Sequence, residues 1–472
     1  MKLVLRAWRY GILFVALVMA TSAVAQQRPT LPIPPVPTPA ERAAERNIER
    51  AARQIERIER ARTVIPDSAQ QRILAAAENG AELAFTLAAL PEHVGNLPAQ
   101  LRIIDAQGFE RFIEVEIEPG RRAIEREWVL LIDYEDRQVF AEQAPELWRY
   151  LSSYQPLAAL GQVMLSFSVP RHLDNREGVE RLLPAAYHPY LDRNHVYQAT
   201  SSAQPSQENS PELTWPADAV CNDNVRIGVV DTQLQENHPA FKTALAEQRL
   251  VRKAILDTSI TQQQHHGTAI TSLLISQAHE LQGLVPKAHI FHAEAFYSQS
   301  PEHQGATLTH LLSALNWLIE SNVQVVNLSL TGPANNTLHS VVRRLYAENI
   351  TIVAAAGNAG PFAEPLYPAA YPEVIAVTAV DKSKNIYRWA NQGEYIEFSA
   401  FGVGVLTAQA DGGWGEESGT SIAAPVVSAF AACHGQDSVS STRGSLREHA
   451  IEMGATGRDS VFGYGLLHPK ND

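Results

Sequence analysis

Val225-Arg226-Ile227-Gly228-Val229-Val230 runs straight into Asp231-Thr232. So short a β-branched run, with almost no polar alternation, reads as a strand buried on both faces. His289–Glu294, Val323–Leu328, Thr351–Ala355 and Val374–Val377 are runs of the same kind. Ala306–Glu320, Leu338–Glu348 and Ser421–Ala432 have helical spacing. Buried strands interleaved with helices specify an α/β domain with a doubly wound, mainly parallel sheet, expected over residues 218–472. In such sheets functional groups collect at the C-terminal ends of the strands.

Working back from that domain, residues 200–217 lose all periodicity and read as a polar linker. Residues 126–199 form a small α+β unit: strand Glu127–Asp133, helix Ala144–Tyr154, strand Gln162–Pro170, helix Arg176–Leu183, strand His195–Ala199. Residues 67–125 have no clear fold beyond an apolar helical stretch at 69–90 and a hairpin, Leu101–Asp105 with Phe112–Glu118, turning at Gln107-Gly108. Residues 26–66 combine a Pro-rich linker with a charged helix from Glu41 to Arg62. At the start, Lys2, Arg6 and Arg9 precede the apolar Gly11–Ala20, and Ala23-Val24-Ala25 stands before Gln26. That is the pattern of a secretory signal peptide over residues 1–25, which implies a periplasmic or secreted protein with no stable membrane insertion after cleavage.

Composition narrows the function. The 472 residues carry 38 basic and 51 acidic side chains, a net charge of −13, which argues against a nucleic-acid partner. Two cysteines cannot build a disulfide-rich scaffold, and no Cys/His set has zinc-ligand spacing, so no metal and no cofactor is expected. His289 and His292 fall on opposite faces of one strand and read as structural.

Three positions at strand or helix edges carry chemistry. Asp231 follows a strand, His266 opens the helix Ala269–Ser276, and Ser421 stands at another helix start. Singly, each is an ordinary cap or loop residue. Together they meet a chemical requirement: a serine hydroxyl needs a base, and the base needs a carboxylate to fix its tautomer. A serine at a helix N-terminus also has unpaired N–H groups beside it for a developing oxyanion.

The local texts resemble the subtilisin-like serine peptidases. They are Val229-Val230-Asp231-Thr232, His266-Gly267-Thr268 and Gly419-Thr420-Ser421-Ile422-Ala423-Ala424-Pro425, in the family's order. Tyr367–Pro372, Val374–Asp381 and Gly463–Leu467 match later landmarks. The resemblance implies a serine endopeptidase acting on proteins or peptides through Asp231, His266 and Ser421, with Asn358 of Ala354-Ala355-Ala356-Gly357-Asn358 in the oxyanion hole. It implies substrate contacts at Ser329, Leu330, Thr331 and Gly332, and at Ala356 and Gly357. It also implies that residues 126–199 act as the chain's own prodomain, a partner removed by self-processing within residues 198–217. Two departures stand out: Gln233 and Thr331 replace usual glycines, and Thr331 is expected to narrow the cleft. The interval His266–Gly283 lacks the insertion that holds calcium in well-studied members. The alternative reading is a non-catalytic binding or scaffold protein on the same fold.

Cys433 lies 12 residues past Ser421, about 18 Å along a helix, and Cys221 lies 10 before Asp231. Both fall toward the floor of the sheet, as one disulfide or as two buried thiols.

Overall fold

The long strand Arg121–Asp133 in the N-terminal sheet has residues that face two different cores. The computed structural model describes residues 97–199 and 219–469, all within one compact unit, Ala61–Asp472. The expected signal peptide (1–25), the stretch 26–66, the apolar helix at 69–90 and the linker 200–217 lie outside the described residues. The first part comprises β1 (Gln100–Ile104), β2 (Glu110–Glu118), β3 (Arg121–Asp133), α1 (Arg137–Gln143), α2 (Pro145–Trp148), β4 (Leu151–Leu157), β5 (Gln162–Ser168), α3 (Arg176–Glu180) and β6 (Leu191–Ala199). Its pairings are antiparallel. Trp128, Leu130 and Ile132 enter a core with Phe140, Leu147 and Phe167. The alternate residues Val129 and Leu131 enter a different core, with Leu311, Leu315, Val341 and Leu345. Period-two alternation between two buried faces is why Trp128–Ile132 reads as an unbroken apolar run.

Three expectations for this part change. The helix expected over Ala144–Tyr154 ends at Trp148, with Pro145 in its first turn, and Leu151–Leu157 is a strand. Among the described residues that strand pairs only with β5; Ser152, Ser153 and Tyr154 are exposed, and Pro156 is tolerated at the edge. Second, the helix begun at Arg176 ends at Glu180. Third, β3 runs from Arg121, so the expected division between residues 125 and 126 cuts through a strand.

The second part contains β7 (Arg226–Asp231), α4 (Lys242–Ala246), β8 (Leu250–Ala254), α5 (His265–Ile275), β9 (His289–Glu294), β10 (Tyr297–Ser298), β11 (Gln304–Thr307), α6 (Leu308–Glu320), β12 (Val325–Leu328), β13 (Leu330–Thr331), α7 (Asn336–Ala347), β14 (Thr351–Ala355), β15 (Ile375–Val380), β16 (Ile396–Phe401), β17 (Val405–Ala408), β18 (Trp414–Glu417), α8 (Thr420–Cys433) and α9 (Val439–His449). Seven strands form a parallel sheet in the order β16-β15-β14-β12-β7-β9-β8, the doubly wound α/β architecture. Its strands β12, β14, β15 and β16 are wholly buried, as two-sided coverage requires. α5 and α8 pack on one face with Val229, Val353 and Val377; α6 and α7 cover the other with Val230, Val326 and Ile352. Helix starts are capped locally: Thr307 accepts from the N–H of His310 and Asn335 from that of Leu338.

The two parts share a sheet through β6. Thr307, Ala306 and Gly305 of β11 pair with Val196, Tyr197 and Gln198, while Leu330 and Thr331 of β13 pair with Ala199 and Gln198. Gly332 abuts this strand so closely that a Cβ on it would lie 2.4 Å from the Tyr197 ring.

Candidate active site

Asp231 is the last residue of β7 and 1% exposed. Its Oδ1 accepts from the N–H of Thr232 at 2.7 Å and lies 2.7 Å from Nδ1 of His266. His266 stands in the first turn of α5, also buried. The turn and the helix are stitched together, because the Gly267 N–H donates to Oγ1 of Thr232 at 2.8 Å. A side chain at Gly267 would put its Cβ 2.4 Å from the Thr232 carbonyl, so only glycine lets helix and strand approach this closely. On the far side of the imidazole, Nε2 is enclosed and has no hydrogen-bond partner among the described residues. That is the arrangement of a base whose other nitrogen is fixed by a carboxylate.

Ser421 is fully buried at the start of α8. Four residues later Pro425 lacks the N–H that would close the first turn onto the Ser421 carbonyl. Oγ of Ser329 donates to that carbonyl instead, at 2.9 Å. The strut continues inward: Asn327 Nδ2 donates to Ser329 Oγ, and Ser428 Oγ to Asn327 Oδ1, each at 2.9 Å. Ser329 therefore points into the protein, whereas Leu330 and Thr331, expected with it as substrate contacts, pair with the chain's own β6. Thr331 pairs with Gln198, so an extended strand is accommodated opposite it.

Asn358 follows β14 in the segment Ala356-Gly357-Asn358. Its Oδ1 accepts from both the N–H and the hydroxyl of Thr420, each at 3.0 Å, which turns the oxygen toward α8 and the amide nitrogen away. Thr420 Oγ1 in turn accepts from the Gly357 N–H at 3.0 Å. The Ala356 carbonyl faces the Tyr395 hydroxyl at 3.4 Å, and Gly332 pairs through its backbone with Tyr367.

Thr420 and His265 went unread in the sequence, whereas His289, His292 and the two cysteines were singled out there. Thr420 organises both Asn358 and Gly357; its place before Ser421 was the available signal. His265 Nε2 lies 2.7 Å from Oε1 of Glu417, and this carboxylate holds the imidazole above its ordinary pKa. His292 is completely buried, with Nε2 donating to the Thr232 carbonyl at 2.7 Å and Nδ1 accepting from Thr271 at 3.0 Å; burial pushes its pKa down. It braces the turn behind Asp231, while His289 is only partly buried at the strand start. Cys221 and Cys433 have their sulfurs 2.02 Å apart and Cα atoms 5.9 Å apart. Among the described residues no group of three or more His, Cys, Asp or Glu could hold a metal ion, and no helix is long and apolar enough to cross a membrane.

The chain is similar in sequence to known proteins. The subtilase family model matches residues 222–465. The chain is 31% identical over 212 residues to the minor extracellular protease Epr of Bacillus subtilis (strain 168), covering 43% of this chain and 32% of that protein. It is 29% identical over 256 residues to subtilisin DY of Bacillus licheniformis, covering 52% and 89% respectively. Thus it spans about a third of the length of the first relative and most of the second. The solved structure of the prenylagaramide maturation protease PagA aligns with a TM-score of 0.44 at 23% identity, over 52% of this chain and 90% of that one. With more than half of its residues inside the family match, the chain belongs to the subtilase family.

Proposed function

We propose that the protein is an extracytoplasmic serine endopeptidase made as a self-processing zymogen. Ser421 attacks the scissile carbonyl while His266 takes the hydroxyl proton and later returns it to the leaving amine. Asp231 holds the imidazole in the tautomer this requires. The Asn358 amide and the Ser421 N–H stabilise the oxyanion, and water then releases the acyl-enzyme. The observation that carries this reading is the joint geometry of a carboxylate 2.7 Å from a buried imidazole and an asparagine locked onto the residue preceding the serine.

Residues 97–199 are the prodomain in this reading. Supporting it, β6 lies as an added strand against both β11 and β13, the way a peptide substrate adds to a sheet edge. Its last paired residue, Ala199, faces Leu330, next to the Ser329 that holds the Ser421 carbonyl. Cleavage is therefore expected within residues 198–217, toward the start of that segment.

A fluorophosphonate probe tests the reading. The wild-type chain is expected to be labelled and to shorten to a fragment of about 270 residues by a cut near residue 200, whereas purified Ser421→Ala takes no label and stays full length. A processed wild-type chain that takes no label supports the scaffold alternative. If Ser421→Ala, free of other proteases, yields the same fragment, self-processing is rejected.

A further inference from the structure

The hairpin β1–β2 touches the peptidase region outside the cleft strands. Its Ile103 joins Ile124, Val196, Leu256, Ile260 and Tyr297 in a separate apolar cluster, with Phe112 packed against it. The Phe112 and Tyr297 rings meet edge to face at 5.1 Å. In the middle of this contact Glu114 is 0% exposed. It pairs with Arg122 of its own sheet and accepts from the Tyr297 hydroxyl and from Gln299 Nε2, both at 2.6 Å. At the rim the Ala106 N–H donates to the Ser259 carbonyl at 2.8 Å, and Arg111 pairs with Asp257.

A carboxylate is buried this fully only where its partners repay its lost hydration, and here two of three come from the peptidase region. Removing the hairpin leaves Tyr297 and Gln299 without their acceptor and uncovers Leu256 and Ile260. The contact does not use β11 or β13, so cutting the linker leaves it intact.

We infer that Leu256, Ile260, Tyr297 and Gln299 form an anchoring surface for a strand pair that presents an aromatic residue two positions before a buried carboxylate, and that its occupant is the chain's own cleaved N-terminal fragment. The hairpin slows departure of that fragment after the linker is cut, in addition to the β6 pairings and the Val129 and Leu131 packing. This rests on the prodomain reading above, but its test does not need catalysis.

The test starts from the full Ser421→Ala chain with a recognition site for an unrelated protease placed within residues 201–217. After cutting, the dissociation rate of the N-terminal fragment is measured from the immobilised remainder. The parent is expected to release it slowly, and Glu114→Ala with Phe112→Ala at least tenfold faster. If the hairpin variant folds poorly, Tyr297→Phe with Gln299→Ala removes the two donors from the opposite side and is expected to speed release likewise. Rates within twofold of the parent in the variants that fold overturn the anchor. Failure of the peptidase reading appears separately, as absent probe labelling of the wild type, and leaves these rates unchanged.

Discussion

Asp231 and Glu114 are both carboxylates sealed from water, and both are met by donors at short range. Asp231 draws its partners from Thr232 beside it and from His266, 35 residues on. Glu114 takes Arg122 from eight residues away but Tyr297 and Gln299 from 183 and 185. The first site sits at the C-terminal end of a central strand, where one strand end and one helix start suffice to define it. The second arises only when two parts of the chain dock. In the proposed scheme one carboxylate serves the chemistry and the other sets when the chemistry begins, so substitutions at the two should separate cleanly.

The largest expected effect is at Asp231. Asp231→Asn keeps the shape but favours the wrong imidazole tautomer, and kcat on a short peptide is expected to fall about 10⁴-fold. Glu114→Ala is expected to leave kcat of the matured enzyme unchanged, since the fragment carrying it has gone. Steady-state kinetics on the two matured proteins decides this; a kcat loss at Glu114 comparable with that at Asp231 would erase the distinction.

Next is Asn358→Ala. Losing one oxyanion donor is expected to lower kcat by about 10²–10³ with little change in KM. Full retention of kcat would reject the oxyanion assignment while leaving the roles of Asp231, His266 and Ser421 standing.

The same contrast explains what could be read in advance. β7, β9, β12 and β14 were legible because two-sided burial imposes β-branched composition on each strand separately. The proposed residues Asp231, His266, Asn358 and Ser421 could be named because their local texts resemble the subtilisin-like peptidases, and at Gly267 that text has a local steric reason. The edge strand Leu151–Leu157 was not, since Ser152, Ser153, Tyr154 and Pro156 are all exposed and little buried face imposes alternation on it. Nor was Glu114, which in sequence is one of several acidic residues in Glu110–Glu118. Nothing near it names Tyr297 or Gln299; its burial is a property of the docked surface.

A smaller effect is expected at the base of the sheet. If Cys221 and Cys433 are joined in solution, the bond closes a span of 212 residues. The double substitution to serine is then expected to lower stability by about 2–4 kcal/mol, measured by denaturant unfolding of the Ser421→Ala chain. Two free thiols counted under denaturing, non-reducing conditions would remove the basis for that loss.

The smallest effect concerns pH and the contact between the two parts. His195 of β6 is buried, with Nδ1 accepting from the Asn335 amide at 2.9 Å, and its pKa is lowered to about 4. Burial is the main cause. Asp192 opposes the shift, while Arg193, Arg121 and Arg176 add to it. His310 of α6 packs near Phe112, and burial lowers its pKa to about 4 as well. A histidine whose pKa is depressed in the assembled state favours assembly above its ordinary value of 6.5, and that contribution is lost as pH falls from 6.5 toward about 4. Glu127 works the other way: burial holds its carboxyl above the usual range, so protonation on acidification relieves a cost and favours the contact. With two histidines against one carboxyl, the nicked Ser421→Ala chain is expected to release its N-terminal fragment about tenfold faster near pH 5 than near pH 7.5. His195→Gln with His310→Gln should flatten or reverse that profile. A profile that stays equally steep in the double variant would move the acid sensitivity away from the two histidines.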